Sequence, residues 1–151
     1  MSDANAELAE AKPAMLRAAD AVNCLDIKML QELKAFTSPS EDVVRVSTAV
    51  LIMKGEMRNH TWNAACKMMG NPVKFKESLQ QYDANNIADK VTTAIDPFLL
   101  VPNFNYDIMV GKSKAAANLC NWVINTVLYN RIYKKVKPLM DSAAEAEKLS
   151  K

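Results

Sequence analysis

Apolar residues recur in alternating steps of four and three at both ends of this chain, and this spacing constrains the fold more than any other feature. The two stripes are Ala4, Leu8, Ala11, Met15, Ala18, Val22, Leu25 and Met29, and then Ile132, Val136, Leu139, Ala143 and Ala146. Apolar residues at this spacing form a seam along one side of an α-helix, and two such helices pair as a coiled coil. Because the two helices come from opposite ends of one chain, we expect an antiparallel coiled coil with the middle of the chain mounted at its tip.

Caps and helix breakers divide that middle part into short helices. The segment Ser38-Pro39-Ser40-Glu41 predicts a helix start, with Ser38 as the cap and Pro39 in the first helical position. The run that follows is apolar on nearly all sides up to Gly55, so this helix is expected at the centre of the head. One further helix is predicted from Thr61-Trp62 to Gly70 and another from Asn71-Pro72 to Tyr82. A fifth, marked by Ile87, Val91 and Ile95, is predicted to stop near Pro97.

The two long helices at the ends of the chain contain possible interruptions. The first runs from about Ala4 to Ala35, and its last part, from Asp26 onward, is a candidate for a separate helix. Pro13 removes a hydrogen bond inside this helix, at a cost of about 3 kcal/mol, so we expect a kink or a fresh start there. The last helix is expected to run from a cap at Asn105 almost unbroken to Lys148, with weak points at Gly111 and Pro138.

Composition supports an all-α fold. Only three glycines occur among 151 residues, and no strand-like alternation of polar and apolar residues is found. We therefore divide the chain into a first coiled-coil strand (residues 1–25), a globular helical head (26–130) and a second coiled-coil strand (131–151).

The sequence lacks the residue patterns of common catalytic and metal sites. His60 is the only histidine, and Cys24, Cys66 and Cys120 are too widely spaced for a zinc site. We interpret these cysteines as small buried apolar residues in a reduced compartment. No phosphate-binding glycine sequence occurs. We therefore expect no metal, no cofactor and no enzymatic activity in this chain.

Neither secretion nor membrane insertion is expected. The first ten residues are acidic and lack the long apolar run of a signal peptide. The most apolar stretch, residues 43–53, is too short and too polar to span a bilayer. The sequence thus predicts a cytoplasmic protein without a membrane partner.

Basic residues are concentrated in one part of the chain although the net charge is only +2. Residues 53–76 contain five basic residues and one acid, Glu56. Such a cluster is either an ordinary solvated surface or a basic patch that faces an acidic partner. The near-neutral total and the lack of a basic helix argue against a nucleic-acid partner.

Several short segments, taken in order, resemble a known family over essentially the whole chain. They are Glu7-Leu-Ala-Glu-Ala-Lys-Pro13, Leu33-Lys-Ala-Phe-Thr-Ser-Pro39, Thr61-Trp62, Phe75-Lys-Glu-Ser-Leu-Gln-Gln-Tyr-Asp83 with Asn86-Ile87, Pro102-Asn-Phe-Asn-Tyr106, Ser113-Lys-Ala, Leu119-Cys-Asn-Trp-Val123 and Tyr133-Lys-Lys-Val-Lys-Pro-Leu139. In order and spacing they resemble the microtubule-binding domain at the tip of the dynein heavy chain stalk. Ser113-Lys-Ala and Leu119-Cys-Asn-Trp122 are more similar to axonemal than to cytoplasmic dyneins.

The resemblance implies a fold and a partner. The fold is a small six-helix bundle on the end of an antiparallel two-helix coiled coil, and the partner is the α/β-tubulin dimer of microtubules. The first, third and sixth head helices would face tubulin. The implied contact residues are Lys28, Lys34, Lys67, Lys74, Asp107, Lys112 and Lys114. Gly111 stands where cytoplasmic dyneins tend to carry a basic residue. Either Lys112 or Lys114 would take over that role, or binding would be weaker. ATP hydrolysis would belong to a motor ring outside this sequence.

The last helix carries a second apolar rhythm that overlaps the first. Its members are Tyr129, Tyr133, Val136, Met140 and Ala143. Two seams on one helix permit two pairing registers, and the resemblance implies control of affinity by sliding through about half a heptad. The register residues would be Met15, Val22, Leu25, Tyr129, Ile132, Tyr133, Val136 and Leu139. In the competing interpretation, which the sequence favours slightly, Tyr129 and Tyr133 pack on the head.

A second function is implied for the helix near residue 90. In some outer-arm axonemal dyneins a leucine-rich-repeat light chain binds the head. A docking surface of this kind, for a light chain or another adaptor, would here use Ile87, Val91, Ile95 and Phe98. Either function would place the protein on the cytoskeleton, in the axoneme of a cilium or flagellum.

Overall fold

A computed structural model describes residues 4–36, 39–56, 61–84 and 87–149, and the side chains discussed below lie between residues 11 and 137. Within these ranges the chain forms eight α-helices and no strand. They are α1 (Ala4–Cys24), α2 (Ile27–Lys34), α3 (Glu41–Met53), α4 (Trp62–Met68), α5 (Pro72–Gln80), α6 (Asp89–Leu99), α7 (Tyr106–Val110) and α8 (Lys114–Leu149). The predicted all-α fold is confirmed.

Some predicted features lie outside the described residues. These are the cap at Ser38, Arg58 of the basic cluster, the lone His60, Asn86, and the side chains of Ala4, Leu8, Pro138, Leu139, Met140, Ala143 and Ala146.

Helices α1 and α8 pack side by side and run in opposite directions. Val22 and Leu25, at the end of α1, lie in the head core. Earlier in α1, Ala11 and Ala14 pack against Tyr129, which lies further along α8. The antiparallel pairing predicted from the two stripes is therefore confirmed, with the head at the end where α1 finishes and α8 begins.

The seam of α1 differs by one position from the predicted stripe. Ala14 is buried, whereas Met15 is 46% exposed, so the prediction that Met15 belongs to the seam is wrong. The series 11-14-18 and 11-15-18 both alternate in steps of three and four, and spacing alone does not separate them. Alanine at position 14 leaves room for the Tyr129 ring, which is itself buried against α1.

No fresh helix start occurs at Pro13, whereas α6 ends close to Pro97, as predicted. Pro13 lies inside α1 and Pro97 inside α6. Pro97 stands near the end of α6, where the helix finishes two residues later. Packing of α1 along α8 outweighs the local cost of Pro13. The predicted separation near Asp26 is confirmed, because the Asp26 carboxylate accepts a hydrogen bond from Met29 N at 2.7 Å and starts α2 there.

Helix α3 lies at the centre of the head, as its apolar sequence predicts. Nine of its thirteen residues are buried, and it contacts α4, α6 and α8. Its N-cap is Ser40, whose hydroxyl accepts a hydrogen bond from Val43 N at 3.4 Å. Pro39 precedes the cap, so the prediction that placed it in the first helical turn is wrong. The helix thus begins at Glu41, two residues later than predicted.

The remaining helix ends follow the caps closely. The predicted caps Thr61, Asn71 and Asn105 each accept a hydrogen bond from the backbone three residues ahead. Helix α5 ends at Gln80, two residues before the predicted Tyr82. The weak point at Gly111 is a complete break, because α7 ends at Val110 and α8 begins at Lys114.

The tryptophans and one cysteine anchor the core. Trp122 is buried, and Trp62 packs against the same cluster. Cys120 is fully buried, and burial raises the pKa of its thiol to about 12. Cys66 is half-buried, and Cys24 is exposed at the last position of α1, so the prediction of three buried cysteines is wrong for these two.

Gly55 ends α3 in a conformation that side chains disfavour. Its φ is +95°, and the bonds from Gly55 N to Ile52 O and from Glu56 N to Leu51 O, both 2.9 Å, form a Schellman motif. Gly55→Ala should lower the free energy of unfolding by about 1–2 kcal/mol, because a Cβ is strained in the left-handed region. Urea denaturation measures this change.

Gly111 supplies the matched control for that substitution. Its φ is −71°, and an added Cβ would meet only Ile108 O, at an ordinary 3.6 Å. Gly111→Ala should therefore leave stability unchanged or raise it by about 0.4–1 kcal/mol. Equal losses at both glycines would contradict the conformational explanation.

Candidate functional site

Helix α2 forms the middle of the basic surface. Lys28 is exposed on this helix, and Lys34 is half-buried at its last position. The Lys34 ammonium donates a hydrogen bond to Gly70 O at 3.1 Å. This bond ties the end of α2 to the turn between α4 and α5.

Two further contacts hold α4 against the end of α2. The indole nitrogen of Trp62 donates to Phe36 O at 3.0 Å, and the Cys66 thiol lies 3.8 Å from Lys34 O. Lys67 and Lys74 are exposed on either side of the α4–α5 turn. These two lysines are therefore placed next to the carboxyl end of α2, as the resemblance implies.

The turn between α7 and α8 lies on another side of α2. A cleft of about 340 Å³ separates them, and its lining includes Met29 and Glu32 from α2 and Val110, Lys112 and Lys114 from the turn. The structure thus brings the three predicted segments of α2, α4–α5 and α7–α8 together around one helix. Asp107 is exposed on α7.

The buried carboxylate of Asp42 fixes the position of Lys112. Asp42 is only 8% exposed and receives the Arg45 guanidinium at 2.9 Å. The Lys112 ammonium lies 3.6 Å from its other oxygen, and the Asn103 amide reaches that oxygen at 3.5 Å. The turn at Gly111 is thereby connected to α3 at the centre of the head.

Lys54, another member of the basic cluster, points toward α5. Its ammonium donates to Ser78 Oγ at 2.6 Å and lies 5.6 Å from the centre of the Phe75 ring. Partial burial lowers the pKa of this amine. Lys54 therefore packs on α5, and it borders a cleft of about 410 Å³ that Lys67 also lines.

Sequence reasoning missed an apolar part of the same surface. Tyr106, Ile108 and Val110 on α7 are all exposed, whereas Met109 is buried. The sequence offered no signal for this, because Tyr106, Met109 and Val110 share one face of a helix and could equally have been buried together. The basic surface is therefore bordered by apolar side chains, whose contacts with a partner salt would not screen.

Most of the predicted register residues are buried or packed between α1 and α8, either in the head core or further along the two helices. Val22, Leu25 and Val136 are buried, and Ile132 packs on the cluster formed by Ala11, Ala14 and Tyr129. The Tyr129 and Tyr133 rings stack with their centres 6.1 Å apart. Tyr129 packs against Ala11 and Ala14 of α1, and Tyr133 packs on the same cluster together with Ala84 of the head.

Met15 instead lines a groove between the coil and the head. This groove has a volume of about 480 Å³. It is bounded by Met15, Leu16 and Val22 of α1, by Leu79 and Tyr82 near the end of α5, and by Trp122 and Tyr129 of α8. Tyr82 packs edge-on against Trp122 at 5.1 Å. Its hydroxyl donates to Met53 O at 2.5 Å, and burial raises its pKa to about 12.

The residues predicted to form a docking surface for a light chain or other adaptor are not exposed. Ile87, Val91 and Ile95 are buried in the head core, and Phe98 is partly buried and stacked on Phe104. The prediction of an exposed apolar patch at these residues is wrong, because the apolar side of α6 faces α3.

In the described part of the chain, no group of three histidine, cysteine, aspartate or glutamate side chains is arranged to hold a metal ion. None of the helices described is long and apolar enough to cross a membrane.

Comparison with known proteins identifies what the chain is similar to. A family model described as the microtubule-binding stalk of dynein motor matches residues 1–150. The flagellar outer-arm dynein beta chain of Chlamydomonas reinhardtii is 38% identical over 146 residues. The human dynein axonemal heavy chain 17 is 38% identical over 144 residues. These alignments cover 94% and 93% of this chain but only 3% of each relative.

A solved structure is similar as well. The microtubule-binding domain of dynein-c superimposes with a TM-score of 0.75 at 33% sequence identity. The match covers 89% of this chain and 94% of that one.

Replacing Asp42 should test its role in holding the α7–α8 turn. Asp42→Asn should lower the free energy of unfolding by about 1–3 kcal/mol, because Arg45 and Lys112 lose a charged, nearly buried acceptor. Glu41→Gln is the matched control, since Glu41 also contacts Arg45 but its side chain is 88% exposed. Chemical denaturation should show a change within about 0.5 kcal/mol for the control. Similar losses in the two variants would contradict a special role for Asp42.

Proposed function

The chain belongs to the family of the microtubule-binding stalk of dynein motors, and from this membership we propose that its head binds the tubulin dimer as the stalk tip of an axonemal dynein heavy chain. The observation that carries the proposal is the family match over residues 1–150. The gathering of three lysine-bearing segments around α2 supports it. The chain spans 3% of the length of the curated relatives it matches. That it works as part of a whole heavy chain with motor activity is therefore also a proposal. Location on the axonemal cytoskeleton belongs to it as well.

The proposed division of labour follows the fold. Residues 26–130 form the tubulin-binding head, and residues 1–25 and 131–151 form the two stalk strands. The proposed contacts are Lys28, Lys34, Lys67, Lys74, Asp107, Lys112 and Lys114. Because tubulin is acidic, these lysines would steer the encounter and supply part of the affinity. Exposed Tyr106, Ile108 and Val110 would supply an apolar part.

We propose that the register of the coil controls this affinity. Support comes from α1, whose sequence fits two seams that share Ala11, Ala18 and Leu25 and differ in whether Ala14 or Met15 points inward. Met15 stands at the rim of the groove next to Tyr129. A change of pairing could therefore bury Met15 without unfolding either helix. A light chain or adaptor, in contrast, would need a surface other than the buried face of α6.

Microtubule binding should weaken strongly with salt. Exposed charges are screened beyond roughly 8–10 Å at ordinary ionic strength. We expect the affinity to fall at least roughly tenfold between about 0.05 and 0.2 M salt. Co-sedimentation with stabilised microtubules at several salt concentrations measures it. A flat salt response would contradict the electrostatic part of the proposal, and no pelleting at any salt would contradict the proposal itself.

Replacing exposed lysines of the head should weaken microtubule binding, whereas replacing a lysine of the stalk should not. Lys28, Lys74 and Lys114 are exposed on three different segments of the head. At about 0.5 kcal/mol for each exposed ion pair, the triple variant Lys28→Ala, Lys74→Ala, Lys114→Ala should bind roughly tenfold more weakly.

Lys137→Ala is the matched control for the triple variant. Lys137 is an equally exposed lysine, but it lies on α8 in the proposed stalk. Its replacement should change the dissociation constant less than twofold, on the scale of a single exposed charge. Wild-type affinity in the triple variant would show that tubulin contacts another surface.

A further inference from the structure

Three side chains within five residues of α8 reach α6 and the segment that precedes it. The pairs are Asn130 Nδ2 with Ala84 O at 2.7 Å, Arg131 with Asp96, and Lys134 Nζ with Asp89 Oδ1 at 2.7 Å. We call Asn130, Arg131 and Lys134 the α8 latch. The latch lies where α8 passes from the head into the coiled coil, next to the stacked Tyr129 and Tyr133.

The three contacts differ in burial. The Asp89 side chain is 92% exposed, and Asp96 and Arg131 are about half exposed. Exposed ion pairs of this kind are weak and are screened by salt. Asn130, in contrast, is 0% exposed. Because Asn130 is buried, water cannot replace Ala84 O as the partner of its side-chain amide.

A buried amide differs from its apolar neighbours in being directional. Apolar packing allows several positions of one helix along another, but a hydrogen bond requires its partner within about 3 Å. A shift of α8 by half a heptad, about 5 Å, would leave Asn130 Nδ2 and Ala84 O buried without partners. Among the described residues Asn130 Oδ1 has no hydrogen-bond partner, so they do not satisfy the whole amide in this arrangement.

We propose that Asn130 is a positioning residue that fixes where α8 sits along the head. The coil register follows from this position, because α1 is joined to the head core through Leu25 and the start of α2. A single buried asparagine has the same effect in coiled coils, where it selects one register at some cost in stability. The consequence for microtubule affinity rests on the function proposed above, whereas the register itself does not.

Asn125 offers a matched control on the same helix. It is 4% exposed, but its amide donates only to Asn121, within α8, at 2.9 and 2.8 Å. Asn130→Leu and Asn125→Leu therefore remove equally buried amides, and only the first contact reaches another part of the fold. A merely structural role would affect both variants alike.

Disulfide trapping reads the register directly. One cysteine pair joins Ala11→Cys to Tyr133→Cys, and the other joins Ala11→Cys to Val136→Cys, three residues further along α8. The background carries Cys24→Ser and Cys66→Ser, because only Cys120 is fully buried. The measured quantity is the ratio of the two disulfide yields under one mild oxidation.

The ratio of disulfide yields is expected to change only when Asn130 is replaced. In Asn130→Leu the ratio should shift roughly five- to tenfold toward equal yields, as expected for the loss of one buried hydrogen bond. In Asn125→Leu it should match the unsubstituted background. An unchanged ratio in Asn130→Leu, or an equal shift in both variants, would overturn the proposal.

Measurements on the unsubstituted protein keep the proposal testable if Asn130→Leu does not fold. In NMR spectra the Asn130 side-chain amide protons should exchange slowly with solvent and lie close to Ala84. Rapid exchange would overturn the latch. Co-sedimentation then distinguishes the two proposals. If one register is trapped but the protein does not bind microtubules, the proposed function is contradicted and the role of the latch is not.

Discussion

The contact between α8 and the rest of the chain is the interaction on which the other features depend. α8 is a single helix of 36 residues, about 54 Å long at 1.5 Å per residue. It packs against α1, α2, α3 and α7, and its buried side chains extend from Ala115 in the head to Val136 in the coil. Because a helix is stiff along its axis, the part in the coil and the part in the head keep a fixed spacing. Any relation between coil register and head surface must therefore pass through what holds α8 in place.

Much of this architecture could be predicted from the sequence, because local rules determine it. Side-chain caps at Thr61, Asn71 and Asn105 satisfy backbone donors within one turn, so their effect does not depend on distant residues. Pro13 shows the limit of the same reasoning. A break at Pro13 is a local expectation, but α1 gains more from lying along α8 than it loses from one missing hydrogen bond. The one-residue difference between Ala14 and Met15 is of the same kind, since both fit the heptad and only the space around Tyr129 decides between them.

The candidate site could be predicted less well, because it depends on contacts between residues that are far apart in the sequence. The types of residue were available in the sequence, but their convergence rests on long-range contacts. Lys34 reaches Gly70 across 36 residues, and Trp62 reaches Phe36 across 26. Asn103 reaches Asp42 across 61. The burial of Ile87, Val91 and Ile95 was unpredictable for a related reason. An amphipathic helix shows that it has an apolar side, but not whether that side meets a partner or the core of its own domain.

The α1–α8 seam and the α8 latch have opposite physical characters. Where the seam is described, α1 contributes Ala11, Ala14 and Ala18, small side chains whose packing is non-directional. The latch combines one buried amide with two exposed ion pairs. An apolar seam that tolerates more than one pairing needs a directional contact elsewhere if one pairing is to dominate. If that contact is Asn130, the head and α8 behave as one body in this register, and another pairing requires Asn130 to release Ala84 O. Met15 stands beside a groove able to receive it in such a pairing.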